Sequence, residues 1–396
     1  MTVGPYDLNL RHLRAVPLIA RRGSMVAAAE AAGISQPALT QGLAKLERLL
    51  GAGLFDRGAE GMTPTAAGAA MVARIDAAVA HLARGARSSR RFARPERLMT
   101  ATQLRSFLAL VDAGSFTDAA RATGWSQPSI HRAVRELEQV FAEPLLARRG
   151  RGVTLTEAGA RMARAARLAA AELAAGIVEV QPGAAARGRL VIGAMPLARA
   201  RLLPAVIARI MREAPHATIE VIEGSWRELV EPLRDGVVDV LVGALRAQEP
   251  PGLVQTALFD DRLAVIARAG HPLAHGAADI AALMPYPWIV GAPGSPLRAQ
   301  WEALFAGADR PAAPILCGSV MTIRGILLDS DGLTLLSPDQ VAVEIDAGLL
   351  TTIPLPHDAM VRTIGVTVRE DWRPTALQTR FLQLLEQANG RHESEK

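Results

Sequence analysis

Apolar residues recur every three or four positions through the first 180 residues, and they do so twice in the same order. Leu39, Leu43, Leu46 and Leu50 make one such face; Ile130, Val134 and Leu137 make another. Residues 13–68 align without a gap on residues 104–159, at an offset of 91 positions and with roughly a third of the positions identical. The shared positions include Gly23/Gly114, Ser24/Ser115, Gly33/Gly124, the Ser35-Gln36-Pro37/Ser126-Gln127-Pro128 triplets, Leu46-Glu47/Leu137-Glu138 and Thr63/Thr154. Each copy predicts a helix (8–22; 102–112), a glycine-serine turn, a short helix (25–32; 116–123) and a second turn. A third helix follows, running over 127–141 in the second copy. Ser35 and Ser126 stand where an N-cap belongs, and Pro37 and Pro128 fall in the first turn, where a missing N–H does no harm. Pro17 lies inside the first helix and is expected to kink it or shorten its start.

A glycine-bearing hairpin, or wing, is expected next (56–63; 146–154), and then a long alanine-rich helix (65–91; 156–180). The first of these would be about 40 Å long. Its stripe of Ala69, Val72, Ile75, Val79 and Leu82 asks for a partner helix. From residue 187 onward the pattern changes to short apolar runs alternating with helical ones. Strands are expected at 190–193, 218–223 and 238–242, with helices at 202–214 and 226–236 between them. This βαβαβ order argues for a parallel sheet. Strands at 263–267, 288–291 and 333–336, with helices at 296–305, 321–328 and 338–347, make a second lobe. A strand at 363–368 returns to the first lobe, followed by a helix at 376–388.

Charge divides the chain in the same place. The formal net charge is about +10 over residues 1–187 and about −5 over 188–396. A basic half joined to an acidic half suggests that the first half meets a polyanion and the second does not, although a solvated charge imbalance gives the same count. Arg supplies nearly all the positive charge, Lys45 and Lys396 being the only lysines. Cys317 is the single cysteine, which excludes an intrachain disulfide or a cysteine-cluster metal site. No stretch is expected to be long and apolar enough to span a bilayer, so the protein is read as cytoplasmic with no membrane partner.

The second copy carries the better chemistry for DNA. Its third helix sets Ser129, His131, Arg132 and Arg135 opposite the apolar face, and its wing carries Arg148, Arg149 and Arg151 between glycines. Arginine offers forked donors for guanine edges or phosphates. The first copy has Thr40, Gln41, Gly42 and Ala44 on its helix, and a wing of Arg57-Gly58-Ala59-Glu60. Gly42 costs about 1 kcal/mol of helix propensity relative to Ala, and Glu60 repels phosphate. The first copy is therefore expected to be a weakened sequence reader or one retuned for a different contact. A basic linker at 88–100 is usually just solvated. In the second half, residues after strand ends and at helix starts are cleft candidates. They are Met195, Pro196 and Leu197; Gly224 and Ser225; Gly243 and Ala244; Ser295, Leu297 and Arg298; and Ser319, Val320, Met321 and Thr322. For each of these a plain cap or core role is the competing reading, and Arg298 has the further alternative of an exposed surface residue.

These segments, namely AGSFTDAA, SQPSIHRAVRELE, LLARRGRGVTLTEAG and the run from GRLVIGAMPLARARLLP to DVLVGALR, resemble the LysR-type transcriptional regulators from Leu10 to about Gln387. The departure is the extra N-terminal winged helix and linker helix. The resemblance implies a multidomain α and α/β fold: two tandem winged helix-turn-helix domains with long linker helices, then a two-lobed periplasmic-binding-protein-like α/β effector domain. The expected domains are 8–65 and 101–156 for the heads, 66–100 and 157–182 for the helices and linker, 188–260 with 360–390 for effector lobe I, and 261–359 for lobe II. The resemblance implies that Gln127, Pro128, Ser129, His131 and Arg132 lie in or at the major groove, that Arg148, Arg149 and Arg151 sit on the wing beside the minor groove or backbone, and that Ser115 meets a phosphate. The matching first-copy positions are Ser24, Gln36, Pro37, Ala38, Thr40 and Gln41, where the arginine usual after Thr40 is absent. It implies double-stranded DNA, RNA polymerase and a second copy of the chain as partners. Its local likeness to the branch regulating sugar-binding protein genes implies a small effector such as a sugar or organic acid, with no cofactor.

Competing chemistry is sparse: no GxSxG, Walker, HExxH or CxxC motif occurs. A solute-binding protein would explain the second half but not the wing arginines, and an enzyme would need a convergent acid, base or nucleophile. Salt-dependent binding to duplex DNA separates the regulator from both. Two arrangements of the paired helices remain: the two long helices of one chain pair with each other as a pseudo-dimer, or copies pair between chains in a tetramer with up to eight heads.

Overall fold

The computed structural model describes residues 3–58, 61–87, 92–150, 152–181, 183, 187–196, 198, 200–276, 278–306, 309–354 and 361–394. Helices α1 (Leu10–Arg22), α2 (Met25–Ala32) and α3 (Gln36–Leu50) precede the hairpin of β1 (Phe55–Gly58) and β2 (Gly61–Pro64), and α4 (Ala66–Gly85) follows. The order then repeats in α5 (Ala101–Ala113), α6 (Phe116–Thr123), α7 (Gln127–Phe141), β3 (Leu146–Arg149), β4 (Gly152–Leu155) and α8 (Glu157–Glu179). Local chemistry repeats with it. Ser35 and Ser126 cap α3 and α7. The second hairpin strand bonds back to the first glycine turn through Met62 N–H to Gly23 O (2.8 Å) and Val153 N–H to Gly114 O (3.0 Å). The Glu47 and Glu138 carboxylates accept from Leu54 and Leu145 N–H. Gly68 and Gly159 each lie where a Cβ would meet the Leu54 or Leu145 carbonyl, at 1.8 and 1.9 Å. The repeat is thus kept where backbone comes closest to backbone.

Three readings of the first copy change. The helix α1 runs through buried Pro17 without a break and starts at Leu10, two residues later than expected, where Asn9 caps it by accepting from Arg11 and His12 N–H. Gly42 does not weaken an exposed face. It is buried, and a Cβ there would stand 2.6 Å from the His12 ring, so the glycine admits His12 between α1 and α3. The helix α4 ends at Gly85, short of the expected residue 91; its 20 residues span about 30 Å.

The two long helices pack on each other within the chain, antiparallel: Gly85 meets Ala165 near the start of α8, and Gly176 near its end meets Met71 and Arg74. The absent side chains let the backbones approach. One apolar core runs through all eight helices and includes Leu13, Ile75, Leu82, Phe107, Leu137 and Leu173. By length and composition α4 is apolar enough to cross a membrane, contrary to the expectation from the sequence. Its apolar stripe is taken by α8, and it carries a buried Arg74 and His81.

The second half forms two sheets. In lobe I, β5 (Arg187–Ala194) lies between β6 (His216–Glu223) and β7 (Val240–Ala244), all parallel, with α9 (Leu202–Glu213) and α10 (Trp226–Arg234) as crossovers. Antiparallel β14 (Val361–Arg369) and β8 (Leu253–Arg262) complete the order β6-β5-β7-β14-β8. In lobe II the order is β11-β10-β12-β9-β13, from β9 (Ala264–Arg268), β10 (Trp288–Val290), β11 (Ile315–Leu316), β12 (Leu333–Leu336) and β13 (Leu350–Ile353). Helices α12 (Pro296–Leu304) and α13 (Val320–Leu328) flank it. The chain passes between lobes twice, from β8 to β9 through Leu263 and from β13 to β14. Asp261 ties both passages together: its buried carboxylate accepts from Ser337 Oγ at 2.6 Å and Arg362 Nε at 2.7 Å.

Candidate DNA face and effector cleft

On α7 the residues Gln127, Pro128, Ser129, His131, Arg132 and Arg135 are exposed, opposite buried Ile130, Ala133, Val134 and Leu137. Among the described residues, Arg132 and Arg135 enter no ion pair, so both guanidiniums face solvent with their donors available. His131 stacks on Phe116, ring centroids 5.3 Å apart, and the Gln127 amide donates to Thr117 Oγ1 at 3.1 Å. Ser126 Oγ accepts from Ser129 N–H (3.3 Å) and lies 2.8 Å from Ser129 Oγ. Ser115 caps α6 and donates to Asp118 at 2.6 Å, which engages the hydroxyl expected on a phosphate. Arg148 and Arg149 lie on β3, opposite Val153 and Gly152, with their side chains outside the described residues, as is Arg151.

On α3, Gln36, Pro37 and Gln41 are exposed along with Ala44, Lys45 and Arg48, while Ser35 is an exposed cap and Ser24 a half-buried one. Thr40 spends its hydroxyl on the Gln36 carbonyl at 3.0 Å. Arg57 is exposed on β1, and residues 59 and 60 lie outside the described residues. The positions matching Arg132 and Arg135 are Gln41 and Ala44, whereas the exposed Lys45 and Arg48 of α3 match Glu136 and Gln139, so the two helices place their positive charges at different points, α7 nearer its N-terminus.

The lobes enclose a cleft of about 710 Å³. Of the expected residues, Met195, Pro196, Gly224, Ser225, Ala244, Ser295, Leu297 and Val320 line it. Gly243 does not; it sits behind the Met195 side chain, 2.5 Å from where a Cβ would be. Arg298 turns away to stack on Trp301 at 4.9 Å and pair with Glu302 at 2.9 Å. Ser319 serves as the α13 cap, and Met321 and Thr322 face outward because the α13 face toward the cleft is Val320 and Ile323. Leu197 lies outside the described residues. Cys317 is half-buried on the cleft wall.

Trp226, Arg246, Trp301, Gln340 and Arg362 also line the cleft, and strand-end reasoning does not find them. Trp226 opens α10, and Arg246 follows β7 and lies 5.3 Å over its ring. Only the tertiary fold brings them to Gln340, which lies nearly a hundred residues further along. Burial lowers the Arg246 pKa, and among the described residues no carboxylate offsets it. Ser225 plays a different part. Its N–H and Oγ both donate to Glu228, at 2.7 and 2.8 Å, which holds that carboxyl below the usual range.

Lobe I is fastened to both long helices. Buried Arg74 donates to Glu172 and to the Arg373 carbonyl, both at 2.9 Å, and grips Glu179 through Nε at 2.9 Å and through Nη2. Arg373 returns a bond to the Ala73 carbonyl. Arg84 pairs with Asp371 at 2.7 Å and lies 2.6 Å from His81 Nδ1. A guanidinium only donates, so that nitrogen accepts and the imidazole is neutral. Burial first, then Arg84, lower the His81 pKa to about 4, against a raising contribution from Asp371. On the other side, Arg164 pairs with Glu231 and Asp235, and Arg167 bridges Asp235 and Asp112.

A helix-turn-helix with an exposed basic third helix, joined through a long helix to a two-lobed cleft, defines a ligand-responsive DNA-binding regulator. The model of bacterial regulatory helix-turn-helix proteins of the lysR family matches residues 10–69 and again 101–160, and the LysR substrate binding domain matches 183–390. The chain belongs to the LysR family of transcriptional regulators, DNA-binding proteins with a substrate-binding effector domain and not enzymes. It is 32% identical over 369 residues to the HTH-type transcriptional regulator GalR of Pseudomonas putida, covering 91% of this chain and 92% of that protein. So long a match takes in at least part of the first head. It is 29% identical to the HTH-type transcriptional regulator PcaQ of Agrobacterium fabrum, over 72% of this chain and 94% of the relative. The fold is shared with full-length OxyR from Pseudomonas aeruginosa (TM-score 0.57, 24% identity, 74% of this chain and 94% of that one). In the last two matches, the share of this chain left over is about the size of one head and its helix.

Proposed function

We propose that this is a double-headed regulator in which residues 8–65 and 101–156 are tandem winged helix-turn-helix units, α4 and α8 make an internal pseudo-dimer, and the second head is the main DNA reader. The carrying observation is the pair of unpaired, exposed arginines on α7, Arg132 and Arg135, where α3 has Gln41 and Ala44. Ser126, Gln127, Pro128, Ser129 and His131 share that face, with Ser115 and the wing arginines at its edges; Ser24, Ser35, Gln36, Pro37, Thr40, Gln41 and Arg57 make the lesser face. Because the heads differ, the site is asymmetric. A small-molecule effector occupies the cleft between residues 188–260 with 360–390 and residues 261–359. Ligand affinity that differs between two lobe arrangements changes head geometry through the Arg74, Asp371 and Arg164 contacts. The protein works in the cytoplasm, with RNA polymerase and further copies of the chain as partners.

Replacing Arg132 with Ala costs about 1–3 kcal/mol on the preferred site and relaxes base preference at one position. Gln41→Ala costs less. Gel-shift titrations against selected and random duplexes read both, and an equal loss on the two duplexes makes Arg132 a phosphate contact, against this reading.

A further inference from the structure

The two heads present different hydrogen-bonding groups on equivalent helix faces. At about 3.6 residues per turn, Pro128, His131, Arg132, Arg135 and Gln139 fall on one stripe of α7. Pro37, Thr40, Gln41, Ala44 and Arg48 fall on the matching stripe of α3. On α7 the middle of the stripe is a pair of exposed guanidiniums, and the carboxamide of Gln139 comes after them. On α3 the order is reversed: the carboxamide of Gln41 and the methyl of Ala44 come first, and the cation Arg48 comes last.

Neighbouring contacts sharpen the difference. In the second head the Gln127 amide is held by Thr117 Oγ1 at 3.1 Å. In the first head the position of Thr117 is taken by Val26, which is exposed on α2 and has no hydroxyl to offer. Among the described residues the side-chain amides of Gln36 and Gln41 are both free, while Thr40 gives its hydroxyl to the Gln36 carbonyl. The first head thus offers two free carboxamides, each a donor beside an acceptor, together with the methyls of Val26 and Ala44. The second offers two free guanidiniums, which only donate.

Base edges in the major groove separate these groups. Guanine presents two acceptors, O6 and N7, which suit a forked donor. Adenine presents a donor beside an acceptor, N6 and N7, which suits a carboxamide, and its thymine partner adds a methyl. A carboxamide on guanine sets its own oxygen against an acceptor, and a guanidinium on adenine sets a donor against the N6 donor. The first turns of the second helix in a helix-turn-helix are the part that meets base edges. Arg48 lies two turns beyond Gln41, about 10 Å further along the axis, where the helix leaves the bases for the backbone.

We infer that the two heads read chemically different ends of one site. Arg132 and Arg135 on α7 read guanine; Gln41 on α3 reads an adenine·thymine pair, with Ala44 against the thymine methyl. Gln41 and Arg132 are the specificity-determining pair, and the first head is a reader of another base rather than a silent partner. The inference rests on the proposed reading in which both heads meet DNA, and adds the bases.

The test selects duplexes from a random pool with the full chain, then titrates the preferred duplex and its single base-pair changes in gel shifts. The preferred site is expected to carry guanine at one end and an adenine·thymine pair at the other, with exchange of either base pair for the other kind weakening binding about tenfold. Gln41→Arg is expected to move the preference at the adenine·thymine end toward guanine by about tenfold and to leave the guanine end alone; Arg132→Gln does the reverse. Both side chains are exposed, so the thermal midpoints are expected to stay where they are in the unsubstituted chain. Guanine preferred at both ends, a Gln41→Arg variant whose base preference is unchanged, or a Gln41→Ala loss equal on every duplex overturns the assignment. A full chain that prefers no duplex over random DNA defeats the regulator reading itself, and this inference with it.

Discussion

Replacing Arg74 with Met removes a buried cation that joins α4, α8 and lobe I. Its side chain is 5% exposed, and those of Glu172 and Glu179 are 9% and 23% exposed. The substitution keeps bulk at the seam and deletes the charge, stranding a buried Glu172 carboxylate. Breaking a buried pair from one side costs about 3–5 kcal/mol, because the remaining charge has no water to return to. Glu179, the more exposed of the two, regains solvent and adds little. The triple change R74M/E172Q/E179Q removes the stranded charges and is expected to recover most of the loss, since buried ion pairs give little net stability over neutral replacements. Urea unfolding followed by tryptophan emission reads the seam, because Trp372 adjoins Arg373 at this contact. The loss caused by the substitution should not depend on protein concentration, as the pair lies within one chain. A loss below about 1 kcal/mol, the level of a solvent-exposed pair, or a triple variant no more stable than R74M, refutes the claim that this seam is buried and shared by the three elements.

Two further outcomes follow from the same contact region. Gly85→Ala places a Cβ 2.4 Å from Ala165 Cβ; it is expected to destabilise by about 1–3 kcal/mol through overpacking, although helix propensity alone favours Ala by about 1 kcal/mol. A more stable variant in the same urea assay would mean that α4 and α8 do not touch there. His81 has its folded pKa lowered from 6.5 to about 4, so the unfolded chain binds its proton first. The contribution of neutral His81 is whole above about pH 6.5 and is lost as pH falls toward 4, up to about 3 kcal/mol. His81→Gln should flatten the stability profile over that window, and a superimposable profile would remove His81 as the cause.

Sequence periodicity reached the heads because their information is local. A cap, a glycine turn and a three-four apolar spacing each lie within a few residues, and a copy 91 positions away repeated them. It failed where a distant residue decides. Gly42 looked like a helix defect until His12 filled the space above it. Arg74 and His81 give no local signal of burial, because the turn that covers them comes some 290 to 300 residues later. Strands β8, β11 and β13 were also missed; β8 runs through Asp260, Asp261 and Arg262, charges that break apolar alternation yet serve the hinge. In the cleft, strand ends and helix starts located eight of the lining residues. Arg246, Gln340 and Arg362, which also line it, sit on three separate segments and meet only when the lobes fold together.

The claim that one chain supplies both reading heads is tested most directly by the mass of its minimal DNA complex. Duplexes selected from a random pool with the full chain are trimmed to the shortest that keeps full affinity, and the complex is weighed by native mass spectrometry. The expected result is one chain per duplex, each duplex an asymmetric site, with Arg132→Ala weakening one end of it. Two chains on a two-fold symmetric site, each contributing one head, would contradict the account.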